Sequence, residues 1–584
     1  MNEVWNLDPI FTGFDDPAFE AELNHGKELI AEYTALMGNL AELEPLEALK
    51  KGIALEEEIS AMVSKLGLYA SLRQSANTRD PEAASQLGRL MAIYSAMAAP
   101  EAAFREWAAK LPDLMELVES DEILKQYRFL FSKMADSSRY LLGSRGEEIM
   151  ARMRLSGGNA WSDLQGYLTS TVPVSYRGTT TNLSSIRNLA YDPDPQVRKD
   201  AYEAEQACYE RIRDAVAFAL NSIKLETISD CKLRGYESPL ARTLKHSDMK
   251  REPLDAMLGA MDEYLPKFWQ YLKAKGKALG HENGLPWYDM FAPMGSAATK
   301  FTAEDAKAYL VEQFTGFDQE LADMVARAFD EAWIDFYPRD GKAGGAFCAG
   351  VECLNESRIL TNFDGMFTDM VTLAHELGHA FHNQCIQDHR PLNRDYSMPV
   401  AETASTFNEC VVMESAISKA TDKGERIALI ESQLQDVTQI ICDIYSRFRF
   451  EAMVFENREE QFMNADALCG LMLKAQKQSY GDGLDHNVLH PYMWVCKSHY
   501  YGPTFYNFPY AFGGLFARGL YAQYKQEGAS FVPKYKKLLN TTPVATVEDA
   551  ALVAGIDLTD KDFWRSALQT VAEEIDLFCS LVEE

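Results

Sequence analysis

Residues Val371–His382 read VTLAHELGHAFH, and two patterns coincide there. Met366, Met370, Leu373, Leu377 and Phe381 recur at helical spacing and form an apolar stripe, with Asp364 and Gly365 as a start signal. His375 and His379 are four residues apart, so they lie one turn above each other on another face of that helix. Two imidazoles so placed can bind one zinc ion through their ring nitrogens. Glu376 stands beside them, where it can take a proton from an attacking water. Gly378 sits mid-helix at a cost of about 1 kcal/mol against alanine. It makes sense where another backbone must come close.

Such a site needs a third protein ligand. One layout puts a histidine ten residues after the first and a glycine at seven, but those positions hold Cys385 and His382. The other layout takes a glutamate from the next helix. Pro399–Lys419 has a helical pattern with proline at its start, and Glu402 and Glu409 lie seven apart on one face. Glu402 is the expected third ligand to one Zn2+ per chain. Glu409 is the expected outer partner that orients a ligand imidazole. His382 shares the ligand face two turns above His375 and reads as a polar lining residue.

The rest of the chain excludes several classes. Its 584 residues can bury a large core and divide into lobes. A formal net charge of −30 argues against nucleic acid or an anionic membrane as partner and suits a cytoplasmic protein. No export signal and no apolar run of membrane-spanning length are found. The ten cysteines are scattered without a C-x-x-C pair and read as reduced thiols.

From Asp16 to about Met153 the pattern is almost continuously helical, punctuated by Pro81, Pro100 and Pro112. Ser156–Asn188 suggests a short hairpin turning at Gly178. A boundary near Pro195 divides an N-terminal helical lobe, 1–195, from a catalytic region, 196–584. Phe336–Phe363 is the stretch after that boundary that reads as sheet, and Gly344 and Gly345 would weaken a strand unless something approaches its backbone. His486–Tyr524 crowds histidines and tyrosines, the neutral donors a developing oxyanion wants.

TLAHELGHAFH followed by AETASTFNE resembles the oligoendopeptidase F family of zinc metallopeptidases, relatives of the thimet-type oligopeptidases. IDFYPRDGKAGGAF, SHYYGPTFYNFPYAFG and NSIKLETISDCKLRGYESP are similar to the family's flanking segments, and the likeness covers most of the chain from about Tyr202. The resemblance implies a mostly α fold of two helical lobes around a deep substrate channel, with a small β-sheet beside the H-E-x-x-H helix. It implies a substrate strand along Gly344, Gly345 and Ala346. It also implies oxyanion donors at His499 and Tyr510, with Tyr506 second; Phe508 stands where the family often has another tyrosine. The expected activity is zinc-dependent hydrolysis of internal bonds in oligopeptides, with Glu376 as general base. The alternatives are a zinc carboxypeptidase, which would draft Arg339 or Lys342 to seize a terminal carboxylate, and a catalytically silent peptide-binding protein.

Overall fold

Proline and capping side chains open helix after helix. In the computed structural model, which describes residues 3–295 and 300–583, α1 (Pro17–Asn39) begins with the Asp16 carboxylate accepting the Ala18 amide at 2.9 Å. α2 (Pro45–Ala76) begins on Pro45, at a position whose amide hydrogen has no helical partner. The two pack through Leu29, Tyr33, Leu36, Leu49 and Ile53. Helix accounts for 73% of the described residues, and the sheets among them are few and small.

The expected hairpin is present. β1 (Val174–Tyr176) and β2 (Thr179–Thr181) pair antiparallel. Arg177 and Gly178, the two residues between them, both take positive φ, 46° and 78°, as a tight two-residue turn demands.

Helix α3 (Arg251–Ala278) runs through the largest apolar core. Beyond it the second sheet forms from β3 (Ile334–Asp335), β4 (Phe347–Val351) and β5 (Glu356–Leu360), in the order β3-β5-β4. β3 joins β5 in parallel and β4 joins it antiparallel, so β4 is an edge. Val351 and Leu360 pack with Trp5, Phe11, Leu66 and Tyr69, which fixes the sheet to the N-terminal helices.

Against the sheet lies α4 (Phe367–Ile386), followed by α5 (Thr403–Lys419), α6 (Lys423–Thr438) and α7 (Ile444–Arg458). A π-helical stretch, Gln439–Asp443, links α6 to α7. α8 (Phe508–Glu527) and α9 (Lys561–Glu583) close the core, α9 lying against α3 and α8. A second core joins Val172–Ile223 to side chains of Phe450–Tyr501. Among the described residues no helix is long and apolar enough to cross a membrane, and the ten cysteines are free thiols.

Candidate active site

Helix α4 carries the motif, and its start differs from the expectation by one residue. Asp369 accepts the backbone amides of Asp364 and Met366, each at 2.9 Å, so Met366 is the cap and the helix runs from Phe367. The stripe Met370, Leu373, Leu377 and Phe381 is buried. Gly378 answers to its predicted purpose: a Cβ there would stand 2.4 Å from Ala404 O and 2.5 Å from Ser405 Cα. The absence of a side chain lets α5 cross at backbone contact, and Asn408 fastens the crossing with a 3.1 Å bond to Ala374 O.

This close crossing delivers the third group. The expected helix from Pro399 is broken: a single turn, Met398–Ala401, ends at Glu402, which caps α5. His375 Nε2 lies 3.2 Å from His379 Nε2, and Glu402 Oε2 lies 3.3 Å from the first and 3.4 Å from the second. Ligands at about 2.0–2.1 Å around a tetrahedral zinc stand about 3.3–3.4 Å apart, so this triangle has the edge length of such a site. Ser405 Oγ donates to Glu402 Oε2 at 2.7 Å and Glu409 Oε1 meets His375 Nδ1 at 2.5 Å. With the Nδ1 proton donated to Glu409, Nε2 is the ring nitrogen that faces the triangle.

The electrostatics favour a cation there. Burial opposes charge on Glu402, yet the two imidazoles hold its carboxyl well below the usual range. Burial likewise opposes charge on His375, yet Glu402 and Glu409 push it up to about 10. Glu376 is 6% exposed, and burial pushes its carboxyl up. A base of raised affinity for protons suits a group that must take one and return it.

Gly513 brings α8 onto the same centre, for a Cβ there would lie 3.0 Å from Glu402 Cβ. His499, Tyr506 and Tyr510 form one aromatic group, with ring centroids 5.6 to 5.9 Å apart. Burial, the adjacent Tyr506 hydroxyl and the Glu402 charge raise Tyr510 and keep it a neutral donor. Burial, with the charges of Arg447 and Lys497, pulls His499 down, so it too is neutral at physiological pH. Its Nδ1 is buried without a partner among the described residues.

Gly344, Gly345 and Ala346 precede β4 and do not belong to it, because Gly345 turns the chain at φ +78°. Asn362 holds the turn by donating to Ala343 O at 3.0 Å and Gly345 O at 2.8 Å. Ala346 lines the same cavity as His375 and Glu376. His382 is a correction. It is fully buried, stacked on Tyr396 at 4.0 Å and bonded to Thr542 Oγ1 at 2.9 Å, because the helix face that is open at His375 is covered two turns on.

Sequence reasoning missed the groups that hold the tyrosine segment. Buried Glu451 accepts from Phe505 N at 3.1 Å and Asn507 Nδ2 at 2.8 Å, and Asn507 in turn caps α8. Neither periodicity nor spacing links residue 451 to residue 507; only the fold does.

Residues 188–570 match the model of peptidase family M3, and residues 97–172 match one described as oligopeptidase F. The chain belongs to peptidase family M3. This M3 metallo-oligopeptidase is 24% identical over 587 residues to the group B oligopeptidase PepB of Streptococcus agalactiae, spanning 98% of this chain and 96% of the relative. A solved structure from Chlamydophila abortus shares its fold with a TM-score of 0.87 at 20% identity, over 99% of this chain and 98% of the other. The oligoendopeptidase-F of Enterococcus faecium follows with 0.72 at 17%, over 97% and 99%.

Proposed function

We propose that this M3 peptidase is a cytoplasmic, zinc-dependent oligoendopeptidase. The observation that carries the reading is the triangle of His375, His379 and Glu402 with Glu376 beside it. When bound, zinc would supply a Lewis acid that polarises the peptide carbonyl and makes water nucleophilic at neutral pH. The chain's own residues do the rest. Glu376 takes the proton of the attacking water and hands it to the leaving amine. Tyr510, with His499, donates to the oxygen that becomes negative, and Tyr506 supports both rings. Glu409 holds the His375 tautomer. The turn Gly344–Ala346 and the edge of β4 offer main-chain groups to an extended substrate, a mode that reads length and direction more than sequence.

The carboxypeptidase alternative loses its anchors. The Lys342 side chain is closed off from solvent and paired with Asp335 at 2.7 Å, and Arg339 is paired with the same carboxylate at 2.5 Å. Both cations serve the sheet.

Internally quenched peptides of graded length, blocked at both ends, test the reading. Chelator-sensitive internal cuts, restored by zinc and fading with length, are expected. Trimming of free C-termini with no cuts in blocked peptides would overturn it.

A further inference from the structure

A cavity of about 1050 Å³ opens beside His375 and Glu376, between α4, α5 and α6. Its walls are mostly apolar, with Phe291, Phe301, Phe367 and Met413 among them. One face of α6, Glu425, Leu429, Ser432 and Asp436, borders it at helical spacing.

The charged groups of this chamber differ in how they are engaged. Glu409 is held by His375, Glu431 by Lys275 and Tyr271, and Lys419 by Glu312. Among the described residues, Asp436 and Glu425 have no ion pair and accept no side-chain hydrogen bond; of the two, Asp436 lies in the field of Glu409, the group that bonds His375. Asp436 is accessible, and the space it borders is the chamber. Its side chain is open to the chamber, but the enclosing walls thin its solvation, and that, then repulsion by Glu409 and Glu431, pushes its carboxyl up to about 6. Arg518 contributes the opposing charge, but it is 8% exposed and already faces Glu574, Glu409 and Asp436. An anionic group entering here would meet a net negative wall.

We propose that this chamber is the specificity pocket for a lysine or arginine side chain of the substrate, with Asp436 as the residue that selects it. The inference rests on the peptidase reading above and names a substrate class for it. A long cationic side chain matches both parts of the pocket. Its methylene stem covers apolar wall while its head reaches a carboxylate that no ion pair or side-chain hydrogen bond engages. A neutral side chain of equal length would bury the stem and leave Asp436 under repulsion from its neighbours.

The experiment uses the zinc-loaded enzyme and quenched peptides that carry either lysine or its apolar analogue norleucine at each position flanking the scissile bond. At one position lysine should raise kcat/KM by about tenfold or more, through KM, and the preference should fall as salt rises. In D436N the lysine-to-norleucine ratio should drop to about one, and D436E should restore it. The ratio is read within each protein, so a general loss of folding or turnover cancels. Calorimetry with a reduced-amide version of each peptide must give the same ratio in binding. No preference at any position, or one that survives in D436N, overturns the assignment while leaving the peptidase reading intact. Cleavage of neither peptide overturns the peptidase reading, and this inference with it.

Discussion

The ammonium of Lys224 stands 2.6 Å from Glu451 Oε1, and both side chains are excluded from solvent. Glu451 also holds the backbone of Phe505 and the side chain of Asn507, so one buried ion pair sets the path of the segment that presents Tyr506 and Tyr510. Phe505 needs that hold, because its φ of +52° is one that a phenylalanine rarely adopts. Removing one partner would leave a buried charge uncompensated, at a cost of about 3–5 kcal/mol. K224M and E451Q should therefore each lower thermal stability and turnover. The double variant should be more stable than K224M alone, since it buries no orphan carboxylate. Calorimetric melting of all three proteins checks this order.

Gly378 is where α4 and α5 touch. In G378A the new methyl group meets the backbone of Ala404 and Ser405, which cannot rotate away. The helices must part, at about 1–3 kcal/mol, and Glu402 retreats from the histidines. Zinc affinity, measured by competition with a chromogenic chelator, should fall by about tenfold or more. Unchanged affinity would mean that Glu402 is positioned by α8 and not by this crossing.

The motif and its helix were legible because a period of 3.6 and a pair at four leave few alternatives, and because a mid-helix glycine announces a close neighbour. Glu402 was legible as a residue and not as a conformation, since the break after Ala401 has no local signal beyond the proline at 399. The glycine pair before β4 looked like strand, but Gly345 is a turn, as positive φ at a glycine allows. His382 was placed by helix geometry on the ligand face, which it shares; what covers it, Tyr396 and Thr542, comes from segments that spacing does not relate to it. Glu451 and Lys224 are 227 residues apart, and pairing at that range is decided by packing alone.

The buried His382 has a consequence for acid stability. Burial, with the His379 charge, pulls it down to about 3, whereas in the unfolded chain it titrates near about 6.5. Between those values the unfolded chain binds a proton that the folded one refuses, so stability is lost as pH falls through this window, by at most about 1.4 kcal/mol per unit. H382Q keeps a donor for Thr542 and cannot titrate. From pH 7 to pH 5 the metal-free wild type should lose about 2 kcal/mol more than metal-free H382Q in urea unfolding. Equal losses would show that other groups govern the acid limb.

The division of labour at the centre predicts two separable defects. H375A removes one corner of the triangle and should purify without zinc, as atomic absorption would show. E376Q leaves the triangle intact and should hold one equivalent while kcat falls by about 10³–10⁴-fold. Near-normal turnover in E376Q would remove Glu376 from its role as base.

Tyr510 and Tyr506 lie 5.6 Å apart, and their contributions can be told apart by kinetics. Tyr510 sits in the field of Glu402 and on the helix that touches it at Gly513, whereas Tyr506 stacks on His499 at 27°. A donor that acts when charge develops on the substrate oxygen lowers kcat when removed and leaves KM nearly unchanged. Y510F should therefore lose about 10²–10³ in kcat. Y506F keeps the ring that packs against His499 and should lose about tenfold or less. If Y506F proves the more damaged of the two, Tyr506 is the donor and Tyr510 is the ring that positions it.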